Sequence, residues 1–158
     1  MKTDKLPVYE SVLFVCSGNT CRSPMAEAIY NDLCKKHGLD SYATSCGIAA
    51  WDGMRASFGA MQAMEEMGID LSFHTARLID KIILQQADLV LCMGGSHAQY
   101  ILQNFPSQAG KVHVLAPFAL GENKAIEDPF GADTEIYRKC AAQIARAVEN
   151  LVARMEKA

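Results

Sequence analysis

The sequence predicts an α/β fold: a single domain over residues 1–158, built as a three-layer α/β/α arrangement around a four-stranded parallel sheet of the flavodoxin-like or Rossmann-like kind. Three observations support this prediction. Short apolar runs typical of buried strands alternate with segments of helical periodicity. One such strand is followed at once by a short loop and a helix start, in VLFVCSGNTCRSPMAE at residues 12–27. A chain of 158 residues, 50% of them hydrophobic, can bury one good core but hardly two.

The first half of the chain supplies two predicted strands and two predicted helices. Residues 10–16 are predicted to form a strand, because their apolar run is nearly continuous, as expected when both faces of a strand are covered. Residues 24–37 follow as a helix, with apolar side chains at helical spacing and Gly38 placed to end it. The remaining segments of this half are a short strand at 41–45, a loop at 48–55 and a helix with a methionine-rich apolar stripe at 56–67.

The second half alternates in the same way. Residues 87–93, ADLVLCM, predict a third strand, and residues 132–157 predict a long amphipathic closing helix. The segments around them are a helix at 80–86, a helix at 96–103, a strand at 112–115 and an irregular loop at 117–131. This alternation implies parallel strands with right-handed crossovers. In such sheets ligands bind beyond the carboxyl ends of the strands.

Composition and charge exclude several classes of function. The net charge is −3 and the basic residues are scattered, so the sequence carries no electrostatic footprint for nucleic acid or an anionic membrane. No window approaches the ~20 consecutive apolar residues of a membrane helix, and residues 1–7 are too polar for a signal peptide. We therefore expect a cytoplasmic protein without a nucleic-acid or membrane partner. A monomer or a weak dimer is also expected, although charge and composition do not determine it.

The six cysteines are expected to be reduced, because a chain of this size without an export signal rarely depends on disulfides. Cys16 and Cys21 share one loop, and oxidation would be able to join them in a reversible disulfide. No Cys/His spacing matches a zinc site, so we predict no metal and no other cofactor.

The loop after the first strand has the composition of an oxyanion site built around a thiol. Cys16 ends the strand, and a cysteine attacks as its thiolate, which a nearby cation or a helix N-terminus stabilises. Arg22 supplies a planar fork that can bind two phosphate oxygens at once. The backbone N–H groups at the start of the next helix can surround a tetrahedral anion. The predicted phosphate-binding residues are Ser17, Gly18, Asn19, Thr20, Cys21, Arg22 and Ser23.

Three residues of this loop meet particular geometric needs. Gly18 and Asn19 tolerate the left-handed backbone that a tight curl requires. Ser23 is placed to donate a hydrogen bond to the thiolate.

A thiolate that attacks a phosphate monoester must expel an alkoxide or a phenoxide. Such a site therefore also needs a proton donor for this leaving group. Asp128 is the candidate, because Pro129 restricts it to extended backbone and would present its carboxyl from a stiffened loop. Phe130 is expected to line the cleft and to shield this carboxyl from water. The predicted reaction has two steps: Cys16 takes the phosphoryl group while Asp128 protonates the leaving group, and Asp128 then activates water to release phosphate.

The segment VCSGNTCRSPMAE resembles the phosphate-binding loop of the low-molecular-weight protein tyrosine phosphatase family, which includes bacterial protein arginine phosphatases and thioredoxin-coupled arsenate reductases. DPFG at residues 128–131, followed by a helix carrying Tyr137, resembles the acid loop of that family. The resemblance implies a cysteine-dependent phosphatase that acts on a phosphorylated protein and binds phosphate or a similar oxyanion in the loop.

The resemblance also implies roles for residues outside the loop. Asn19, Ser45 and His74 match the positions of a hydrogen-bonded network that braces the loop. Trp51 matches an aromatic position that lines the cleft in many tyrosine phosphatases. The implied substrate cleft therefore consists of Thr20, Trp51 and Phe130.

Two signals about the substrate point in different directions. Trp51 favours the flat ring of phosphotyrosine. Thr20 stands where many tyrosine phosphatases have isoleucine and where the arginine phosphatases have threonine, and DPFG also resembles the acid loop of the arginine enzymes. Phosphotyrosine is therefore predicted first and phosphoarginine second.

Two further functions are less favoured. An arsenate reductase needs a relay of thiols; Cys92 matches one relay position, but no second cysteine follows in residues 93–105. A non-catalytic phosphate-binding module would need neither Cys16 nor Asp128.

Overall fold

The parallel sheet predicted from the sequence is present, with helices on both of its faces. A computed structural model describes residues 1–156. Its four strands are all parallel and lie in the order β2-β1-β3-β4. Their bounds are Ser11–Cys16 for β1, Tyr42–Gly47 for β2, Leu89–Cys92 for β3 and Val112–Val114 for β4.

The five predicted helices are present in the predicted order, and residues 1–156 contain one further α-helix, at Leu115–Leu120, that was not predicted. The helices are α1 (Arg22–His37), α2 (Phe58–Glu66), α3 (Lys81–Gln86), α4 (Gly95–Asn104), α5 (Leu115–Leu120) and α6 (Thr134–Glu156), with a 3₁₀ helix at Pro106–Lys111. The last residue of the predicted helix at 132–157 lies outside the described residues. Within residues 1–156, no helix combines the length and the apolarity needed to cross a bilayer.

Strand β1 is buried on both faces, which explains its nearly continuous apolar sequence. Val12 and Phe14 belong to a core cluster that also contains residues of α1, α2, α5 and α6. Leu13 and Val15 belong to a second cluster with residues of α3 and α4. Each such side chain contributes about 1.5–3 kcal/mol on burial. The strand that ends at Cys16 is therefore anchored on both sides.

One predicted loop is partly wrong, because α5 occupies the start of residues 117–131. Leu115, assigned to a strand from the sequence, is the first residue of this helix. A six-residue helix is too short to show a clear apolar period, and Pro117 is tolerated because it lies in the first turn. Gly121 ends the helix in the left-handed conformation, with φ of 75°.

Strand β2 extends further than predicted and reaches the loop that follows β1. Its last residue, Gly47, pairs with Cys16 in the register of the two strands. A Cβ atom on Gly47 would collide with the carbonyl oxygen of Ser17 and would lie 2.9 Å from the backbone nitrogen of Asn19. The absence of a side chain at this position therefore lets β2 support the loop directly.

Candidate active site

The loop between β1 and α1 places a serine hydroxyl beside the predicted nucleophile. Cys16 Sγ lies 2.9 Å from Ser23 Oγ, and both side chains are buried. Ser23 Oγ also accepts a hydrogen bond from Asn19 Nδ2 at 2.8 Å. The serine is thus oriented by the asparagine, and its O–H has two possible acceptors, Cys16 Sγ and, at the longer distance of 3.4 Å, the carbonyl oxygen of Cys46.

Asn19 holds the curl of this loop. It is the one non-glycine residue with positive φ among residues 1–156, at 56°, and its side chain is fully buried. Its Nδ2 donates to Ser45 Oγ at 2.9 Å as well as to Ser23, and its Oδ1 accepts from the backbone N–H of Arg77 at 2.9 Å. A left-handed asparagine is strained, and these three hydrogen bonds stabilise it.

The structure joins Asn19, Ser45 and His74 into one network, as the resemblance implied. His74 Nε2 lies 2.7 Å from the carbonyl oxygen of Asn19, so this nitrogen is the donor. Ser45 Oγ donates to Glu27 Oε1 at 2.7 Å, and burial raises the pKa of that carboxyl. Glu27 was not predicted from the sequence, although it lies four residues after Ser23 on α1 and so shares its face.

Arg22 is the first residue of α1, and its guanidinium is almost fully buried. Nη1 donates to the carbonyl oxygen of Ile126 at 3.0 Å. Nη2 lies 3.5 Å from Ser17 Oγ and 3.6 Å from Asp128 Oδ2. The arginine therefore links the loop after β1 to the segment that carries the predicted acid.

Asp128 begins a short turn at the edge of the site. Its Oδ1 accepts a hydrogen bond from the backbone N–H of Phe130 at 3.0 Å, a turn geometry typical of aspartate. The expected shielding by Phe130 is wrong, because the Asp128 side chain is 50% exposed and Phe130 is 74% exposed. The carboxyl lies in an open pocket mouth, where water and a leaving group can both reach it.

A pocket of about 270 Å³ brings most of the predicted residues together. Its lining consists of Cys16, Ser17, Gly18, Thr20, Cys21, Arg22, Ala49, Asp128 and Phe130. The side chains of the predicted nucleophile, guanidinium and acid thus share one small volume.

Trp51 is not part of this lining, which corrects the cleft expected from the sequence. Its side chain is 79% exposed. Ala49 lines the pocket instead, because its backbone N–H donates to the carbonyl oxygen of Ser17 at 2.9 Å. Trp51 lies two residues further along, in a turn closed by a hydrogen bond from Met54 N to its carbonyl oxygen.

His97, a buried residue of α4, contacts the loop and was missed from the sequence. Its Nε2 lies 3.0 Å from Ser17 Oγ, and its Nδ1 accepts a hydrogen bond from the backbone N–H of Gly94 at 3.1 Å. Burial, together with the positive charge of Arg22, lowers the pKa of His97 to about 4. The available signal was its position just beyond the carboxyl end of a central strand, where such sheets bind ligands.

Cys21 is held on the other side of the loop. Its Sγ lies 3.3 Å from Ser57 Oγ and 3.3 Å from the hydroxyl of Tyr137, and burial raises the pKa of that tyrosine. All six cysteines are free thiols. In the part of the chain that the structure describes, no cluster of His, Cys, Asp and Glu side chains is arranged to hold a metal ion.

Comparison with known proteins assigns the chain to a family. Residues 11–158 match the low molecular weight phosphotyrosine protein phosphatase family. The chain belongs to this family. The predicted fold class and the predicted class of enzyme, a cysteine-dependent phosphatase, are thereby confirmed.

Relatives within the family carry two different activities in their names. A protein-arginine-phosphatase of Bacillus subtilis is 33% identical over 92% of this chain and 97% of its own length. A probable low molecular weight protein-tyrosine-phosphatase of Ralstonia solanacearum is 35% identical over 92% of this chain and 96% of its own length. The crystal structure of a low molecular weight protein tyrosine phosphatase from T. tengcongensis has a TM-score of 0.87, with 40% identity, and covers 90% of this chain and 97% of that one.

Proposed function

We propose that this chain removes phosphoryl groups from phosphorylated side chains of proteins, with Cys16 as nucleophile, Arg22 as the clamp for phosphate oxygens and Asp128 as general acid and base. The observation that carries the proposal is the shared pocket, in which Arg22 lies between the loop after β1 and Asp128. A tetrahedral dianion bound over Cys16 would meet the guanidinium and the N–H groups at the start of α1.

The geometry supports a two-step reaction. In the first step the Cys16 thiolate attacks phosphorus, the bond to the leaving oxygen breaks, and Asp128 gives its proton to that oxygen. In the second step Asp128, now a carboxylate, takes a proton from water as the water attacks the cysteinyl-phosphate and frees the thiolate. Stabilisation of the transition state comes from donors that are already in place before the reaction, namely Arg22, the loop N–H groups and Ser23.

Phosphotyrosine is the substrate that the family assignment supports first. Ala49 and Phe130 both line the pocket, and the exposed ring of Phe130 can stack on an aromatic leaving group. The half-exposed carboxyl of Asp128 lies at the same mouth, where a phenolic oxygen would leave.

Phosphoarginine is a second candidate, and three observations favour it. Thr20 lines the pocket, and its hydroxyl can contact a polar guanidino group, which an isoleucine at this position would not do. Trp51, the residue that favoured a phenyl ring, lies outside the lining. The identity to a named protein-arginine-phosphatase supports the same candidate.

Replacing Thr20 with isoleucine is expected to lower kcat/KM for a phosphoarginine peptide by on the order of 10²-fold, because a polar contact is replaced by an apolar side chain. Turnover of a phosphotyrosine peptide of the same sequence should change far less. The measurement is release of phosphate from both peptides by the wild type and the variant.

Thr20→Ser is the matched control, since it keeps the hydroxyl and should retain most of the activity on phosphoarginine. An equal loss on both peptides in Thr20→Ile would show that Thr20 does not discriminate between the substrates. No turnover of phosphoarginine by the wild type would remove the second candidate.

An arsenate reductase is disfavoured by the position of Cys92. This thiol is completely buried in β3, and burial raises its pKa to about 12. A relay cysteine must be a reactive thiolate that reaches its partners, and Cys92 meets neither condition in this structure.

The proposed enzyme forms a single domain over residues 1–158 and acts in the cytoplasm. It is a monomer or a weak dimer and needs no cofactor.

A further inference from the structure

We propose, on the basis of the phosphatase function above, that His97 is a positioning residue: its imidazole fixes Ser17 Oγ beside Arg22 and so holds the guanidinium ready for phosphoryl oxygens. His97 lies 80 positions from Ser17 in sequence and on a different element, α4, which packs on the other side of the sheet from α1. It therefore connects the loop after β1 to a helix that carries none of the site residues predicted from the sequence.

The hydrogen bonds of the ring determine which nitrogen carries the proton. The backbone N–H of Gly94 can only donate, so Nδ1 of His97 must accept at their separation of 3.1 Å. The neutral ring then carries its proton on Nε2, which lies 3.0 Å from Ser17 Oγ. Ser17 is consequently the acceptor of this bond, and the imidazole is the donor.

Burial keeps the ring in this neutral state. His97 is 2% exposed, and the positive charge of the Arg22 guanidinium acts with burial to lower the pKa of the ring. A second proton would turn Nδ1 into a donor facing the N–H of Gly94 and would place two positive charges around Ser17. The geometry is therefore suited to a fixed hydrogen-bond donor and not to a proton carrier.

Ser17, oriented by His97, in turn contacts Arg22. Its oxygen has two lone pairs, one facing His97 Nε2 and one available to Arg22 Nη2 at 3.5 Å. With both lone pairs engaged, the Ser17 hydroxyl can act only as a donor, and Ser17 lines the pocket that would hold the phosphoryl group.

The support from Ser17 matters most in the first chemical step. Asp128 must be protonated to act as an acid, and a neutral carboxyl no longer forms an ion pair with Arg22. Among residues 1–156, the hydrogen-bond acceptors that then remain to the guanidinium are the carbonyl oxygen of Ile126 at 3.0 Å and Ser17 Oγ. Ser17, itself oriented by His97, is then one of two groups that hold the Arg22 guanidinium in position.

Two substitutions separate this role from a purely structural one. His97→Gln can present its side-chain N–H at the position of Nε2 and so keep the donor to Ser17. His97→Asn can keep an acceptor for Gly94 N–H, at the start of α4, but loses the donor to Ser17. A helix-capping role alone would favour asparagine, whereas the proposed role favours glutamine.

The experiment compares wild type, His97→Asn, His97→Gln, Ser17→Ala and the Ser17→Ala/His97→Asn double variant. The readouts are kcat and KM on a chromogenic aryl phosphate, and the Kd of inorganic phosphate measured by calorimetry. We expect His97→Asn to lower kcat by about 5- to 30-fold, the effect of one lost hydrogen bond to a charged site, and to weaken phosphate binding. His97→Gln should recover most of both losses. In the Ser17→Ala background, His97→Asn should have little further effect.

Wild-type values in His97→Asn, equal losses in both His97 variants, or full additivity with Ser17→Ala would each overturn the proposal. Failure of the proposed function gives a different result, in which the wild type itself does not hydrolyse the aryl phosphate. In that case the phosphate Kd values still test the positioning role of His97.

Discussion

Replacing Cys16 with serine is expected to abolish turnover of an aryl phosphate, with a loss on the order of 10⁴-fold or more in kcat. A serine hydroxyl is protonated at neutral pH and is a much weaker nucleophile than a thiolate. The surrounding N–H groups, Arg22 and Ser23 remain in place, so binding of inorganic phosphate should persist while hydrolysis is lost. Steady-state kinetics and phosphate binding measure the two effects separately.

Cys34→Ser is the matched control, because Cys34 is also buried but lies on α1 away from the pocket lining. It should retain turnover within a few-fold of the wild type. Comparable rates in Cys16→Ser and Cys34→Ser would show that another group attacks the phosphoryl group.

Replacing Arg22 with lysine is expected to lower kcat/KM by about 10²- to 10³-fold, although the charge is kept. An ammonium group cannot make the bond to the Ile126 carbonyl oxygen and also present two parallel donors to a phosphate. The buried acceptors around the lost guanidinium would also be left partly unsatisfied. Kinetics on an aryl phosphate, with inhibition by vanadate as a measure of binding to the transition-state geometry, should show this loss.

Arg138→Lys provides the matched control, since Arg138 pairs with Glu66 on the surface of α6 and is half exposed. Surface pairs of this kind contribute little, and activity should be unchanged. An Arg22→Lys variant as active as this control would exclude the proposed clamp.

The parts of the site that are local in sequence could be predicted well. Cys16, Asn19, Arg22 and Ser23 lie within eight consecutive positions, so a strand end, a tight curl and a helix start fix their relation without knowledge of the rest of the fold. The hydrogen bonds from Asn19 to Ser23 and from Ser23 to Cys16 follow from that local geometry.

The parts of the site that depend on packing between distant segments could not be predicted from the sequence. Whether Ala49 or Trp51 lines the pocket depends on where the backbone after β2 bonds to Ser17. His97 enters the site because α4 begins beside the loop after β1, a contact that spans 80 positions. A short helix such as α5 is decided by burial against α6, which no periodicity in six residues reveals.

The exposure of Phe130 shows a further limit. The sequence shows that Phe130 lies two residues after Asp128. It does not show whether the aromatic ring covers the carboxyl or only borders the pocket. The backbone N–H of Phe130 donates to the Asp128 carboxylate and closes the turn, and the side chain of Phe130 is 74% exposed.

The most direct test of the central claim is to locate the phosphoryl group during turnover. The enzyme is mixed with an aryl phosphate, quenched within milliseconds and analysed by mass spectrometry under conditions that preserve a thiophosphate ester, with Asp128→Asn included to slow the second step. The proposed mechanism predicts a phosphoryl group on Cys16, present in the wild type and more abundant relative to turnover in Asp128→Asn. A phosphoryl group found reproducibly on a different residue, or turnover at full rate with none on Cys16 in either protein, would contradict it.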